Sequence, residues 1–210
     1  MAERILTLRI TGAEGANEAV NAWCLAAARD MGPRMADAGG KLFRYRMVNL
    51  PTATILLDGG DAAARETVAR ALRDRDCPFE RVVMEGEEIS RAARPDVGPD
   101  MRELPVLNVV WFTAPDGEGA TELNRWYDEE HIPMLFECPA WAATRRFRIL
   151  ASPRPGFTTF AALHYLKDTT ALTSPERDAA RATPWRDRLA RNDWFRGTYR
   201  VFLRERDAAA

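Results

Sequence analysis

Asn124-Arg125-Trp126-Tyr127-Asp128-Glu129-Glu130-His131-Ile132-Pro133-Met134 sets two aromatics, three consecutive carboxylates and a histidine within eleven residues. On a helix turning about 100° per residue, Leu123, Trp126, Tyr127, Glu130, His131 and Met134 share one side. An apolar stripe holding a glutamate and a histidine is unusual, because buried ionisable groups are costly unless paired or used. Histidine, with an ordinary pKa of about 6.5, both takes and gives protons near neutrality, so His131 is the candidate general acid/base. Tyr127, at i−4, can orient the ring or bind the same substrate oxygen. Asp128, at i−3, can hold the imidazole tautomer. Glu130 can stabilise an imidazolium or serve as an acid itself, or it can pair with Arg146 or Arg148. The competing reading of His131 is a cap on a helix broken by Pro133.

Four more residues join these candidates. Asn108 is an amide inside the apolar strand Val106-Leu107-Asn108-Val109-Val110-Trp111, and a buried amide needs partners. It could bind a substrate carbonyl. His164, in Phe160-Ala161-Ala162-Leu163-His164-Tyr165, could pair with His131 across a cavity or be a hydrogen-bonded core histidine. Trp126 could line a ligand site or belong to the core. Arg148 alternates with Phe147 and Arg146, which suits salt bridges or, less simply, an acidic substrate.

The elements that must carry these residues follow from periodicity and turn chemistry. Ile5–Ile10 reads as a strand, and a helical pattern runs through Ala19, Val20, Trp23, Cys24 and Ala27, ending near Pro33 or one turn beyond. Residues 41–48 and 53–57 read as strands, 61–75 as a helix and 79–84 as a fourth strand. Residues 87–103, charged and carrying Pro95, Gly98 and Pro99, read as a linker. The second half repeats the plan: strand 104–112, a helix 121–137 interrupted near Pro133, strands 141–150 and 157–166, and strand 195–203. The last two are preceded, respectively, by the turn 152–156 and by one helix from the Ser174-Pro175-Glu176 cap to about Arg191. The expected fold is α+β, with two ferredoxin-like βαββαβ repeats forming a pseudo-dimeric α+β barrel. The domain limits are 1–86 for the first repeat, 87–103 for the linker and 104–210 for the repeat carrying the site.

Short matches support a duplication: Asn21-Ala22-Trp23 with Asn124-Arg125-Trp126, and Arg44-Tyr45-Arg46 with Arg146-Phe147-Arg148. Asn124 and Trp126 therefore belong to the shared scaffold. Where the second half has Tyr127-Asp128-Glu129-Glu130-His131, the first has Cys24-Leu25-Ala26-Ala27-Ala28. Both histidines of the chain lie in the second half. One working site per chain is the expectation.

Asn-x-Trp-Tyr-Asp-x-x-His-x-Pro, with Trp141-Ala142-Ala143-Thr144-Arg145-Arg146-Phe147-Arg148 after it, resembles the EthD-like group of dimeric α+β barrel proteins. The likeness covers about Leu104 to Leu150. Such barrels are similar to small-molecule enzymes: lactone isomerases, polyketide cyclases, decarboxylases, dehydratases, and cofactor-free or haem-handling monooxygenases. The resemblance implies the fold strongly and the chemistry weakly.

Composition narrows the function. The chain has 210 residues, 30 basic and 31 acidic, for a net charge of −1, so no global field suggests nucleic acid or an anionic membrane. No apolar run approaches the roughly 20 residues of a membrane span, and the N-terminus lacks a signal-peptide core. Cys24, Cys77 and Cys138 are dispersed, which suits reduced thiols and a cytoplasmic location. Neither a metal site nor a cofactor is expected, since P-loop, GxGxxG, GxSxG and HExxH patterns are absent. The sequence points to a cofactor-independent enzyme moving protons on a small, mostly apolar or aromatic, carbonyl- or phenol-bearing metabolite. A non-catalytic binding protein of the same fold, or a haem-binding barrel with His131 as ligand, are the alternatives. The pseudo-dimer is expected to be self-contained, and a further homodimer is compatible with it.

Overall fold

The computed structural model describes residues 3–98, 100–153 and 156–205. Its contacts divide the chain into unit 1 (Met1–Glu88, Ile149–Arg154 and Phe202–Ala210) and unit 2 (Ile89–Arg148 and Pro155–Val201). In chain order the elements are β1 (Arg4–Thr11), α1 (Asn17–Asp37), β2 (Gly40–Arg46), β3 (Thr52–Gly59), α2 (Ala62–Asp74) and β4 (Glu80–Ala93). They continue with β5 (Val106–Phe112), α3 (Glu118–Trp126), a π-helical turn (Tyr127–His131), α4 (Ile132–Leu135), β6 (Trp141–Ala151) and β7 (Phe160–Leu166). Short helices α5 (Pro175–Ala179) and α6 (Pro184–Leu189) lead to β8 (Thr198–Glu205). The class is α+β, as expected, with strands paired antiparallel.

In unit 1 the strand order is β4-β1-β3-β2, with Leu8 opposite both Ile55 and Val83. Period-2 alternation turns Leu6, Leu8 and Ile10 toward α1, where Val20, Cys24, Ala27, Met31 and Met35 recur at helical spacing. These residues form one closed apolar cluster. Helix α1 passes Pro33 and ends one turn later, where Gly39 adopts φ +73° and releases the chain into β2. Asp61 caps α2, its Oδ1 accepting from Ala64 N–H at 2.7 Å.

Unit 2 has the strand order β8-β5-β7-β6. Asn108 of β5 stands opposite His164 of β7, which stands opposite Thr144 of β6. Cross-strand partners share a face, so these three make a polar row across a sheet whose other positions are mostly apolar.

Three elements depart from the sequence expectation. Strand β4 runs on to Ala93, through residues whose charge suggested a linker. Its alternation of buried and outward positions continues past Met84, and an outward face tolerates charge. Second, the helix of 121–137, expected to be interrupted near Pro133, is interrupted by a π turn at residues 127–131, so the departure is in the kind of break and its place. Third, the helix expected from Ser174 to Arg191 is two short helices. Ser174 does cap the first, accepting from Arg177 N–H at 3.2 Å, but Thr183 and Pro184 stop it and start the second. Within the 152–156 turn, Arg154 and Pro155 lie outside the described residues, as does Pro99 of the expected linker. No helix among the described residues is long and apolar enough to cross a membrane.

Candidate functional site

Proline at 133 has no N–H, and its ring pushes on the carbonyl four residues back. The helix answers by slipping register: Ile132 N–H bonds Tyr127 O, five residues back, a π turn of the kind that recurs at functional sites. In an α-helix, residues five apart lie about 140° apart. Here the widened turn sets His131 over Trp126, with ring centroids 4.2 Å apart and planes 22° from parallel. Tyr127 meets His131 edge to face at 5.3 Å.

These residues help to line a pocket of about 140 Å3 within unit 2. Asn108, Val110 and Phe112, alternate residues of β5, line it too, with Trp141 and His164, and Arg177, Arg181, Arg186, Phe195 and Tyr199 complete it.

The two histidines are both neutral and carry opposite tautomers. Nδ1 of His131 lies 3.1 Å from Ala180 O; a carbonyl only accepts, so Nδ1 bears the proton and Nε2 keeps a free lone pair. Ala180 follows the last residue of α5, so its carbonyl is one that a helix end leaves available. Burial, despite that hydrogen bond, and with Arg186, Arg181 and Arg146 adding positive charge, brings the His131 pKa down to about 4. At His164 the pattern inverts. Its Nδ1 receives the Trp141 indole N–H at 3.4 Å and lies 2.9 Å from the Thr144 hydroxyl. An indole only donates, so Nδ1 is the acceptor and the neutral ring carries its proton on Nε2. Burial, then the charge that His131 would carry if it were protonated first and the charges of Arg146 and Arg177, hold its pKa well below 6.5.

Tyr127 is buried and its phenol pKa is raised by burial, against the pull of Arg146, whose guanidinium lies 4.3 Å from the Tyr127 ring centroid. Asn108 is 5 % exposed, and its Oδ1 has no hydrogen-bond partner, which is rare for a buried acceptor.

His131, Tyr127, Trp126, Asn108 and His164 are thus gathered at one pocket. Three other expected residues are not among those lining it. Glu130 accepts Trp126 Nε1–H at 3.1 Å and the Thr183 hydroxyl at 2.6 Å, so it anchors the indole under His131 rather than pairing with Arg146 or Arg148. Asp128 is exposed; it accepts from Ser90 and pairs with Arg146 at 3.1 Å, and Ala180 sets the imidazole tautomer in its place. Arg148 is exposed and pairs with Asp116 at 3.4 Å, because its position on β6 points outward. Sequence reasoning missed Trp141, Phe195, Tyr199 and the three arginines. For Arg177, Arg181 and Arg186 the signal was Pro184, which breaks the helix and changes where each side chain points. Among the described residues no group of three His, Cys, Asp or Glu is placed to hold a metal ion.

No family model matches the chain. The curated proteins offer no match either. Solved structures do match. An anthrone oxidase-like protein shares 11 % identity at TM-score 0.68, over 98 % of this chain and 92 % of its own. Chlorite dismutase from Candidatus Nitrospira defluvii, in complex with imidazole, shares 7 % at TM-score 0.62, over 97 % and 91 %. A ferredoxin-fold protein of Listeria monocytogenes related to antibiotic biosynthesis monooxygenases shares 9 % at TM-score 0.51, over 99 % and 97 %. At such identities the likeness is one of fold.

Proposed function

We propose that this protein is a cofactor-independent enzyme that moves a proton on a small aromatic molecule bearing a carbonyl or phenol. The observation that supports it is the pair of neutral, oppositely tautomeric histidines at one pocket. His131 Nε2 offers a lone pair to take a proton from carbon or phenol oxygen, and His164 Nε2–H can donate to an oxygen on which charge develops. Asn108 Oδ1, lacking a partner, suits a hydroxyl of the bound molecule. Tyr127, Trp126, Phe112 and Phe195 pack the ring, and Glu130 keeps Trp126 in place. A pocket of about 140 Å3 is close to the volume that holds one benzene-sized molecule. It is well under the roughly 300–1,000 Å3 of larger ligand sites, which suits a single small ring better than a macrocycle such as haem on His131.

The names of the matched structures favour one variant of this reading. Oxidase-like and monooxygenase-related proteins share the fold, and a carbanion or phenolate formed by loss of a proton to His131 could give one electron to molecular oxygen, the substrate radical and superoxide then joining as a peroxide. Oxygen uptake during turnover would mark that variant. We also propose, on the short internal matches, that the halves descend from one EthD-like ferredoxin-fold unit and form a self-contained pseudo-dimeric barrel, whose solution mass would be that of one 23.6 kDa chain.

Proton transfer can be tested before the natural substrate is known. A panel of small aryl ketones in D2O is followed by NMR for exchange at the carbon beside the carbonyl. Acceleration by the wild type is expected, with a loss of roughly 100-fold or more in His131→Asn, where the new amide can still donate to Ala180. Exchange undiminished in that variant, or none with any ketone, would sink the reading and leave a binding protein.

A further inference from the structure

Three arginines line the pocket with few carboxylates to neutralise them. Arg177, Arg181 and Arg186 all line it, yet the chain as a whole carries a net charge of −1, so their convergence is local. Arg177 has one carboxylate within reach, Asp178, at the outer limit of 4.0 Å. Among the described residues neither Arg181 nor Arg186 has a carboxylate partner. Some surface arginines of unit 2 are paired, Arg125 with Glu129 at 3.0 Å, Arg148 with Asp116 and Arg196 with Asp193 at 3.3 Å. Others among the described residues, such as Arg191, stand alone in solvent, and what sets Arg177, Arg181 and Arg186 apart is that they line one pocket. Like charges gathered beside a concave, partly desolvated site repel one another unless an anion joins them.

We propose that Arg177, Arg181 and Arg186 form an anion-binding rim, and that the molecule taken by this pocket carries a carboxylate beside its aromatic ring. This rests on the reading of the pocket given above and narrows its substrate class. A guanidinium presents a planar fork that matches a carboxylate in two parallel hydrogen bonds. The ring would lie among Phe112, Trp126, Tyr127 and Phe195, with the carboxylate toward α5 and α6. Binding would also act on the base. Arg181 and Arg186 are among the groups that hold His131 in its neutral form, with Arg146 on β6, while Glu130 and Tyr127 on its own element and His164 on β7 make up its other ionisable surroundings. A carboxylate that neutralises two guanidinium groups raises the proton affinity of His131 Nε2 at the moment the substrate arrives.

Benzoate is the probe, with benzamide as its neutral counterpart and inorganic phosphate as an anion without a ring, each titrated calorimetrically at low salt. Benzoate is expected to bind at least about 10-fold more tightly than benzamide and than phosphate. Affinity should fall about 10-fold in Arg181→Gln or Arg186→Gln and further in the double variant, with partial recovery in Arg186→Lys. The His131 imidazole, followed by NMR, should titrate at higher pH with benzoate bound. Benzoate binding that fails, that benzamide or phosphate equals, or that the double variant leaves unchanged while its melting temperature matches the wild type, overturns the proposal. The two ideas fail separately: benzoate selectivity without ketone exchange leaves the rim and removes the acid/base enzyme, and exchange without benzoate selectivity does the reverse.

Discussion

On the sheet of unit 1, Leu6, Leu8 and Ile10 meet Val20, Cys24, Ala27 and Met31 of α1 in a sealed apolar cluster. On the sheet of unit 2, Asn108, Val110 and Phe112 share a pocket with Trp126, Tyr127 and His131. The strand orders correspond and the helix lies on the same kind of face, so the difference lies in what fills the space. Unit 1 fills it with hydrocarbon, and burial pushes even the Cys24 thiol up to about 12. Unit 2 fills it with rings, two histidines and an amide whose oxygen has no partner. Its polar atoms are held by specific donors and acceptors: Ala180 for His131, Trp141 and Thr144 for His164, Trp126 and Thr183 for Glu130. Such groups are expensive to bury, so unit 2 gives up packing for a chemically equipped space.

Exchanging the two interiors at one position puts the contrast to its hardest test. Leu8→Asn inserts into unit 1 the amide that unit 2 carries at Asn108, and it should cost on the order of 3–5 kcal/mol, from lost burial and an unsatisfied amide. Asn108→Leu should change stability by less than about 1 kcal/mol, because it removes a buried acceptor that already lacks a partner, while slowing proton exchange. Urea unfolding of both variants measures the difference. Equal costs would mean that Asn108 is an ordinary structural amide and that the two interiors are not distinct in kind.

Much of this contrast could be read from residue order. The alternation in β1 and β5, the cap at Ser174, and the confinement of histidine to one half all follow from local chemistry. What could not be read came from two prolines whose effects are not local. Pro133 widens the helix into a π turn, so a 100° wheel put Glu130 in the buried stripe and gave no hint that His131 would stack on Trp126. Pro184 splits a helix and thereby frees the Ala180 carbonyl, which sets the His131 tautomer, while bringing three arginines to the pocket. Asp128 and Arg148 looked functional by proximity in sequence, yet each points outward to an ion pair. Periodicity ranks faces of a regular element, and the site is built where two elements stop being regular.

Acid should act on unit 2 through groups that unit 1 lacks. His131 titrates near 4 in the folded chain against about 6.5 when unfolded. Between those values the unfolded chain binds more protons, so this contribution to stability is complete above about pH 6.5 and is lost as pH falls toward 4. The loss from His131 is on the order of 3 kcal/mol, and His164 is shifted the same way. Comparing unfolding at pH 7.5 and pH 5 should show a markedly smaller fall in His131→Asn than in the wild type. The same depressed value predicts that activity declines only near pH 4 on its acid limb. A fall as steep in the variant as in the wild type would assign acid sensitivity to carboxylates spread over both units.

The smallest expected effects come from the tryptophans, which both units place on the corresponding helix. Trp126 Nε1–H donates to the Glu130 carboxylate; Trp23 Nε1–H donates to the Asp76 carbonyl at 2.8 Å, nearer the surface. A bond to a charged acceptor contributes roughly 1.5–3 kcal/mol and one between neutral groups roughly 0.5–1.5. Trp126→Phe should therefore cost about 2 kcal/mol and Trp23→Phe about 1 kcal/mol. Phenylalanine keeps a ring in each place but is smaller than indole, so each variant loses some packing as well as the indole N–H, and more of it at buried Trp126. The informative readout is the His131 imidazole resonance. Trp126 stacks on that ring, and Glu130, released from the indole, is free to turn toward it, so Trp126→Phe should shift the resonance and its titration while Trp23→Phe leaves both in place. Were the two variants to move His131 equally, or not at all, the indole would be scaffold in both units, and the division between them would begin at Tyr127.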